Sequence, residues 1–522
     1  MNKHGYTGAT LRVTLDDIRY GGPQFAVKLY TEGLGRGPSA EEYKDMMQRI
    51  EARGCTAETL AELAVELFSG DEFVLLQPSR PMAAAAVYRA VLSRDATEEE
   101  IEAFVQGEDN AASLAKALIG GEEFAGILPA INEGPYYWRG NCAFSPMGAP
   151  VLTSAQVQAM LDDENTQVLE LEQGTLVLVT SGICVPAGKT LTTKGAPLHY
   201  LLQARFLRTE LNQDVMVKVG ENGVLSHIWV DGNRLAFSDK DVPPRGGTNI
   251  VATGDGSRVT FCRSNGTASG THLVGSDFAH RVWIMHNLVT CYETSHTKAW
   301  ADGITHASTD GVIEYNTVVD ATDVGIIVFR FICDKKKGEE KENQNTVVRH
   351  NTVINAGNSA YAGLDIDSWF GQGKDQFFRG TLFEDNALWT SFRAHQHICL
   401  SLAPLAWTSS IGDHAYGTDM IHNYTPDGLQ VLCAAAVAVD GVHECSVRHN
   451  RLRVFMGDWG RSYDNEVLDI RLTSFNSQTS DGDFQGEFED KPMFLPMLPF
   501  IFPHPQEPYQ DIVLREALVW ED

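Results

Sequence analysis

Apolar positions recur with a helical period through the first 130 residues, where Ala, Glu and Leu dominate. Beyond Pro129 the pattern changes to short runs of Val, Ile and Thr broken by Gly, Asn and Asp. The first pattern predicts a small all-α domain over 1–130, and the second a mainly β domain over 131–462. Thr153 to Asp162 is a helical exception, placed where it would cap the open end of a stack of strands. From 463 to 522 the chain becomes Pro- and aromatic-rich, with the run EFEDKPMFLPMLPFIFPHPQEPY. Such a run cannot continue a sheet. It is expected to pack on the β domain or on a neighbouring subunit, which would make a homo-oligomer.

The helical part contains an internal repeat. Tyr30, Leu34, Arg36, Ser39 and Glu42 match Tyr88, Leu92, Arg94, Thr97 and Glu100 at an offset of 58, and Leu63, Leu67, Gly70 and Phe73 match Leu114, Leu118, Gly121 and Phe124 at an offset of 51. Each unit reads as three helices, the second capped by Ser39 or Thr97 and the third closing at Gly-Asp/Glu-Glu-Phe. This pattern resembles a bacterial domain family of unknown function seen in surface and polysaccharide-related proteins. The resemblance implies a targeting or interaction role; Arg36 and Arg94 read as helix-end and inter-helix contacts rather than ligand binders.

A second repeat runs through the β part. An aromatic residue, His or Asp followed by Asn recurs as His286-Asn287, Tyr315-Asn316, His350-Asn351, Asp385-Asn386, His422-Asn423 and His449-Asn450, at intervals of 29, 35, 35, 37 and 27 residues. A coil of three short strands and three turns takes about 22 to 30 residues, so the longer intervals predict inserted loops. Stacked coils would set the asparagines in one column, each in the left-handed corner conformation and bonded amide to amide. The predicted fold is a right-handed parallel β-helix. Within Thr166 to Gly195, the runs VLELEQGTLVLV and GICVPAGKTLTTKG flank the turn Pro186-Ala187-Gly188. That stretch resembles the first turn of pectate-lyase-like proteins, which implies the same solenoid and a carbohydrate-active role.

Three strands after the corners can be overlaid: 302–306, 324–330 and 362–367. Simple alternation sends Ile304, Ile326, Leu364 and Ile366 inward, and Asp365 and Asp367 out to solvent on one face. Long insertions follow, at 331–345 with DKKKGEEKE and at 368–380 with Trp369, Phe370, Lys374 and Asp375. A groove with acids, a cation and aromatic walls suits a sugar chain. Residues i and i+2 on a strand stand about 6.5 to 7 Å apart, inside the roughly 6.5 to 9.5 Å that inverting glycosidases require. The candidate catalytic residues are therefore Asp365, Asp367, Asp302 and Arg330. Candidate substrate-binding residues are His306, Lys298, Asp323, Trp369, Phe370, Lys374 and Asp375.

The clustered Asp residues on such an architecture resemble β-helix polygalacturonase-like hydrolases. The expected activity is that of a glycoside hydrolase or transglycosidase acting on a polysaccharide or oligosaccharide. A lyase or epimerase is the alternative chemistry, with a base drawn from Arg330, His306, Lys298 or Lys374 and Ca²⁺ to neutralise a uronate. A non-catalytic glycan-binding surface or tail-fibre-like module is the other alternative. In the blander readings Arg330 only pairs with Asp365 or Asp367, and His306 only fills the interior.

Charge narrows the partners. A net charge of −28 opposes binding to a phosphate backbone, so nucleic acid is not expected and neutral glycans are favoured. The nine cysteines are odd in number and lack CxxC spacing, which predicts reduced thiols with neither a disulfide frame nor a metal site. Apart from Ca²⁺ in the lyase reading, no cofactor is expected. Met1 to Tyr20 lacks the apolar run of a signal peptide and no later stretch reaches membrane-spanning length. A cytoplasmic protein, or one exported by a non-classical route, is expected.

Overall fold

The computed structural model describes residues 22–133, 136–211, 215–237, 247–268, 270–276, 279–292, 301–329, 344–367, 376–391, 394, 396–402, 415–433, 435–439, 442–456, 461–462, 467–468 and 484–485. Among the described residues, eight α-helices precede three long sheets of nine, nine and twelve strands, in which every strand pairs in parallel with its counterpart one coil away. This is the right-handed parallel β-helix expected from the corner repeat. The core runs up the inside as files of branched apolar residues. Val289, Val318, Val353 and Leu388 form one file, facing Leu273, Ile304, Ile326 and Leu364. The helix Ser154–Asp162 closes the first coil, driving Val157 and Leu161 into the end of that core.

The corners show how the fold is held. Asn287, Asn316, Asn351, Asn386, Asn423 and Asn450 stack in a single column, each Nδ2 donating to the Oδ1 of the next at 2.8 to 2.9 Å. Each Oδ1 also takes a backbone N–H, and each Nδ2 a carbonyl one coil below, so the buried amides are satisfied on both sides. One expectation is corrected: the left-handed residue is the one before the Asn. His286, Tyr315, His350, Asp385, His422 and His449 all have φ between 51° and 57°. The side chain leaving this conformation points outward. A second column results, with the rings of His227, Phe261, His286, Tyr315 and His350 stacked 4.7 to 5.1 Å apart.

The helical part forms two sets of four helices. The motif Gly-Asp/Glu-Glu-Phe, expected to close a third helix, instead opens a fourth at Asp71–Leu75 and at Glu122–Glu133, because its acids favour the N-terminus of a helix. Arg36 pairs with Glu42 and Glu72 at 2.7 and 2.6 Å, and Arg94 makes the same two contacts with Glu100 and Glu123 at 2.7 Å each. Ser39–Glu42 and Thr97–Glu100 are both complete capping boxes. In each set one arginine thus ties the capped second helix to the start of the fourth.

These helices lie on the outside of one sheet. Trp229, Val319, Ile354 and Trp389 project from its strands into the helical core, where Trp389 meets Tyr43 at a ring separation of 4.5 Å. Glu32 is the buried polar hub of the joint. It accepts Nε of Arg89 and the Tyr200 hydroxyl at 2.8 and 2.9 Å and pairs with Arg263. Arg205 extends the chain of charges, reaching Asp95 at 2.7 Å and Asp231 at 2.6 Å. Burial pushes the Glu32 carboxyl up, but the two guanidinium groups outweigh it and hold the pKa at about 2. Among the described residues, no helix is long and apolar enough to cross a membrane.

Candidate active site

The second nine-stranded sheet carries the described candidate acids, and a repeated irregularity sets their direction. Gly303, Gly325 and Gly363 occupy one level in three successive strands. A Cβ on each would lie 2.4 to 2.5 Å from Val318, Val353 or Leu388 of the facing interior file. The position therefore faces inward, and so does the next residue, Ile304, Ile326 or Leu364. Two consecutive inward positions break simple alternation, as a bulge does. The residues flanking them, three apart in sequence, both turn outward: Asp302 with Thr305, Val324 with Ile327, and Ala362 with Asp365. Plain alternation would have placed Asp302 on the core side of Ile304.

Asp302 sits in a hydroxyl-lined recess. Its Oδ2 accepts from Thr305 Oγ1 at 2.8 Å and from Thr271 Oγ1 at 3.2 Å, while Oδ1 accepts the Val324 amide at 3.2 Å. Thr271, Asp302 and Thr305 each retain 7% of their accessible surface. Burial pushes the Asp302 carboxyl up to about 6, despite the three donors that favour its charged form. Asp365 stands in the same outward file as Thr305, two coils higher along Thr305–Ile327–Asp365. Two coil steps amount to roughly 10 Å.

Several expectations change here. Asp365, expected in solvent, shares the file of Thr305 and is fully buried, and Asp302 is nearly so. His306 is not on this face. It turns inward, fully buried, into the space left by Gly275 and Gly311, where its Nε2 meets Ser308 Oγ at 2.6 Å, and burial lowers its pKa to about 3. Asp323 lies at the start of the next strand and acts there through its backbone, its carbonyl accepting the amides of Tyr361 and Ala362. The backbone of Asp367 continues the strand opposite Phe329. Arg330, Lys298, Trp369, Phe370, Lys374 and Asp375 lie outside the described residues, as does almost all of the Pro- and aromatic-rich tail. Thr271 was missed by the sequence reading, although the glycines that turn its neighbour outward stand in all three overlaid strands.

Among the described residues, no group of three or more His, Cys, Asp or Glu side chains converges as metal ligands do. The family described as "Disaggregatase related" matches residues 267–379, which include the strands bearing Thr271, Asp302 and Asp365. No curated protein sequence matches the chain. Solved structures with a similar course include an alginate lyase from Paenibacillus sp. str. FPU-7, at 9% identity and a TM-score of 0.36 over 56% of this chain and 99% of that one. A Dettilon tailspike protein is similar at 15% identity and a TM-score of 0.31, over 56% of this chain and 55% of its own. DFA-IIIase from Arthrobacter chlorophenolicus A6 is similar at 11% identity and a TM-score of 0.32, over 59% and 84%.

Proposed function

We propose that this protein is a carbohydrate-active enzyme that cleaves or rearranges a glycosidic bond on the outer face of the second sheet. Asp302 is the general acid and Asp365 its partner. The observation that carries the reading is the Asp302 recess, in which a nearly buried carboxyl with pKa about 6 keeps slight access to solvent beside two hydroxyls. A general acid must hold its proton near the working pH and still reach the leaving oxygen. Asp365 lies roughly 10 Å from the Thr305 that bonds Asp302, a wider gap than the roughly 6.5 to 9.5 Å of inverting glycosidases, in which the second carboxylate activates a water. In that reaction the bond from the anomeric carbon to the leaving oxygen breaks as that oxygen takes the Asp302 proton. Water supplies the new C–O bond and gives its proton to Asp365.

A lyase reading places its base among Arg330, Lys298 and Lys374, since His306 is enclosed. Incubation with a panel of neutral and uronate-containing glycans separates the chemistries, read by new reducing ends and by the absorbance of unsaturated sugars. The expected result is new reducing ends without unsaturation, lost in Asp302→Asn and Asp365→Asn. Binding without product on every glycan would favour the non-catalytic module instead.

A further inference from the structure

The three oxygens Asp302 Oδ2, Thr271 Oγ1 and Thr305 Oγ1 form a triangle with sides of 3.2, 2.8 and 2.9 Å, every side at hydrogen-bonding distance. Counting protons decides what this triangle holds. Two hydroxyls bring two protons, which serve only two of the three sides when the carboxyl is ionised. One side of the triangle, whichever the rotating hydroxyls leave, would then join two oxygens with no proton between them. A protonated carboxyl adds the third proton, and each oxygen then donates once and accepts once around a closed ring.

We propose that Thr271, Thr305 and Asp302 form a proton-holding ring, in which the two threonines are positioning residues that keep Asp302 in its acid form and orient the proton it delivers. This inference rests on the general-acid reading of Asp302 and extends it to the residues that load the acid. When Asp302 gives up its proton, its O–H bond breaks and the proton goes to the leaving oxygen. The ring is left one proton short, so one of its three sides no longer holds a hydrogen bond. Uptake of a proton from water restores it. The bulge makes the arrangement available, because only an outward pair three residues apart lets Thr305 reach back to Asp302 on its own strand while Thr271 reaches across from the strand below.

His306 on the same strand and His272 on the strand below both point into the interior, and burial lowers each to about 3. On the strand above, Asp323 lies just before Val324, whose amide reaches Asp302, and Asp365 is two coils away. Arg330 lies outside the described residues. The raised pKa of Asp302 is owed to burial and gives the ring no support, since the threonines acting as simple donors to a carboxylate oppose it; the ring differs in that the acid form donates in turn.

The sign of one shift tests the proposal. If the threonines were ordinary donors to a carboxylate, removing a hydroxyl would raise the titration midpoint of Asp302. Breaking the ring removes two contacts from the acid form and one from the ionised form, so the midpoint should fall. Difference infrared titration of full-length protein labelled with carbon-13 aspartate, with Asp302→Asn as the reference, reads the carbonyl stretch of this acid directly. Thr271→Val and Thr305→Val are expected to lower the midpoint by about half a pH unit or more. Thr271→Ser and Thr305→Ser, which keep the hydroxyl, are expected to hold it in place. A rise in either Val variant, or an ordinary carboxylate midpoint in the unaltered protein, overturns the ring. Neither result needs a substrate: a rise in a Val variant overturns the ring and leaves the general-acid reading standing, an ordinary midpoint in the unaltered protein overturns both, and absence of activity leaves the ring standing.

Discussion

At Asp302 burial and hydrogen bonding pull in opposite directions, and the balance makes the folded state sensitive to pH. The pKa is about 6 in the fold against 3.8 for a free carboxyl, so the native state binds this proton more tightly than the unfolded chain. Its stabilising contribution is complete below about pH 4 and is lost as pH rises through 6, a change of about 3 kcal/mol. Asp302→Asn removes that slope. Guanidinium unfolding of the two proteins between pH 4 and 7 should show the variant gaining on the unaltered protein as pH rises; parallel curves would mean that Asp302 is not held as described. The sequence identified Asp302 and Asp365 as candidates but could not show that both are enclosed, since burial depends on which segments pass over a face. His306 illustrates the same limit. Its inward turn depends on Gly275, on the coil below, and on Gly311, past the next corner of its own coil, which leave a space of the right size only once the coils have stacked.

The strength of a coil lies in its corners, and the two columns there are unequal. Asn351 makes four side-chain contacts with neighbouring coils, all buried. Asn351→Ala leaves donors and acceptors unpaired above and below it, and is expected to cost about 3 kcal/mol or more. Tyr315, in the outer ring column, is 49% exposed, and Tyr315→Ala should cost no more than about 1.5 kcal/mol. Chemical denaturation of both variants checks the contrast, and equal losses would contradict it. The asparagine column was legible because the same two-residue signal recurs once per coil. Its conformational detail was not, since Asn and the residue before it both tolerate a left-handed turn and only the stacked structure shows which one takes it. The bulge was equally hidden: a glycine at one level of three strands is visible in the sequence, but its inward direction is set by Val318, Val353 and Leu388 across the core.

At the scale of the whole molecule, the helical part does not hang free as an attachment arm. It is joined to the solenoid through Trp229, Tyr292 and Trp389 and through the Glu32 hub. Glu32→Gln leaves Arg89 and Arg263 buried with their shared countercharge removed, which should cost about 3 to 5 kcal/mol. Because the pKa of Glu32 is lowered to about 2, its contribution persists above the ordinary glutamate range and fades only as pH falls toward 2. Calorimetry at neutral pH should therefore show the helices and the solenoid unfolding in one transition, and two separated transitions would contradict the joint. Helical periodicity and the two matching units were readable from sequence. The docking was not, because the partner residues of Glu32 lie 57 and 231 positions away.

The most direct test of the account is a crystal structure of Asp302→Asn soaked with an oligosaccharide that the unaltered protein cleaves. The account predicts a sugar on the outer face of the second sheet, with its glycosidic oxygen within hydrogen-bonding distance of residue 302 and the side chain of Asp365 on the other side of the anomeric carbon. Sugar bound on another sheet, or on this one with residue 302 out of reach, would contradict it.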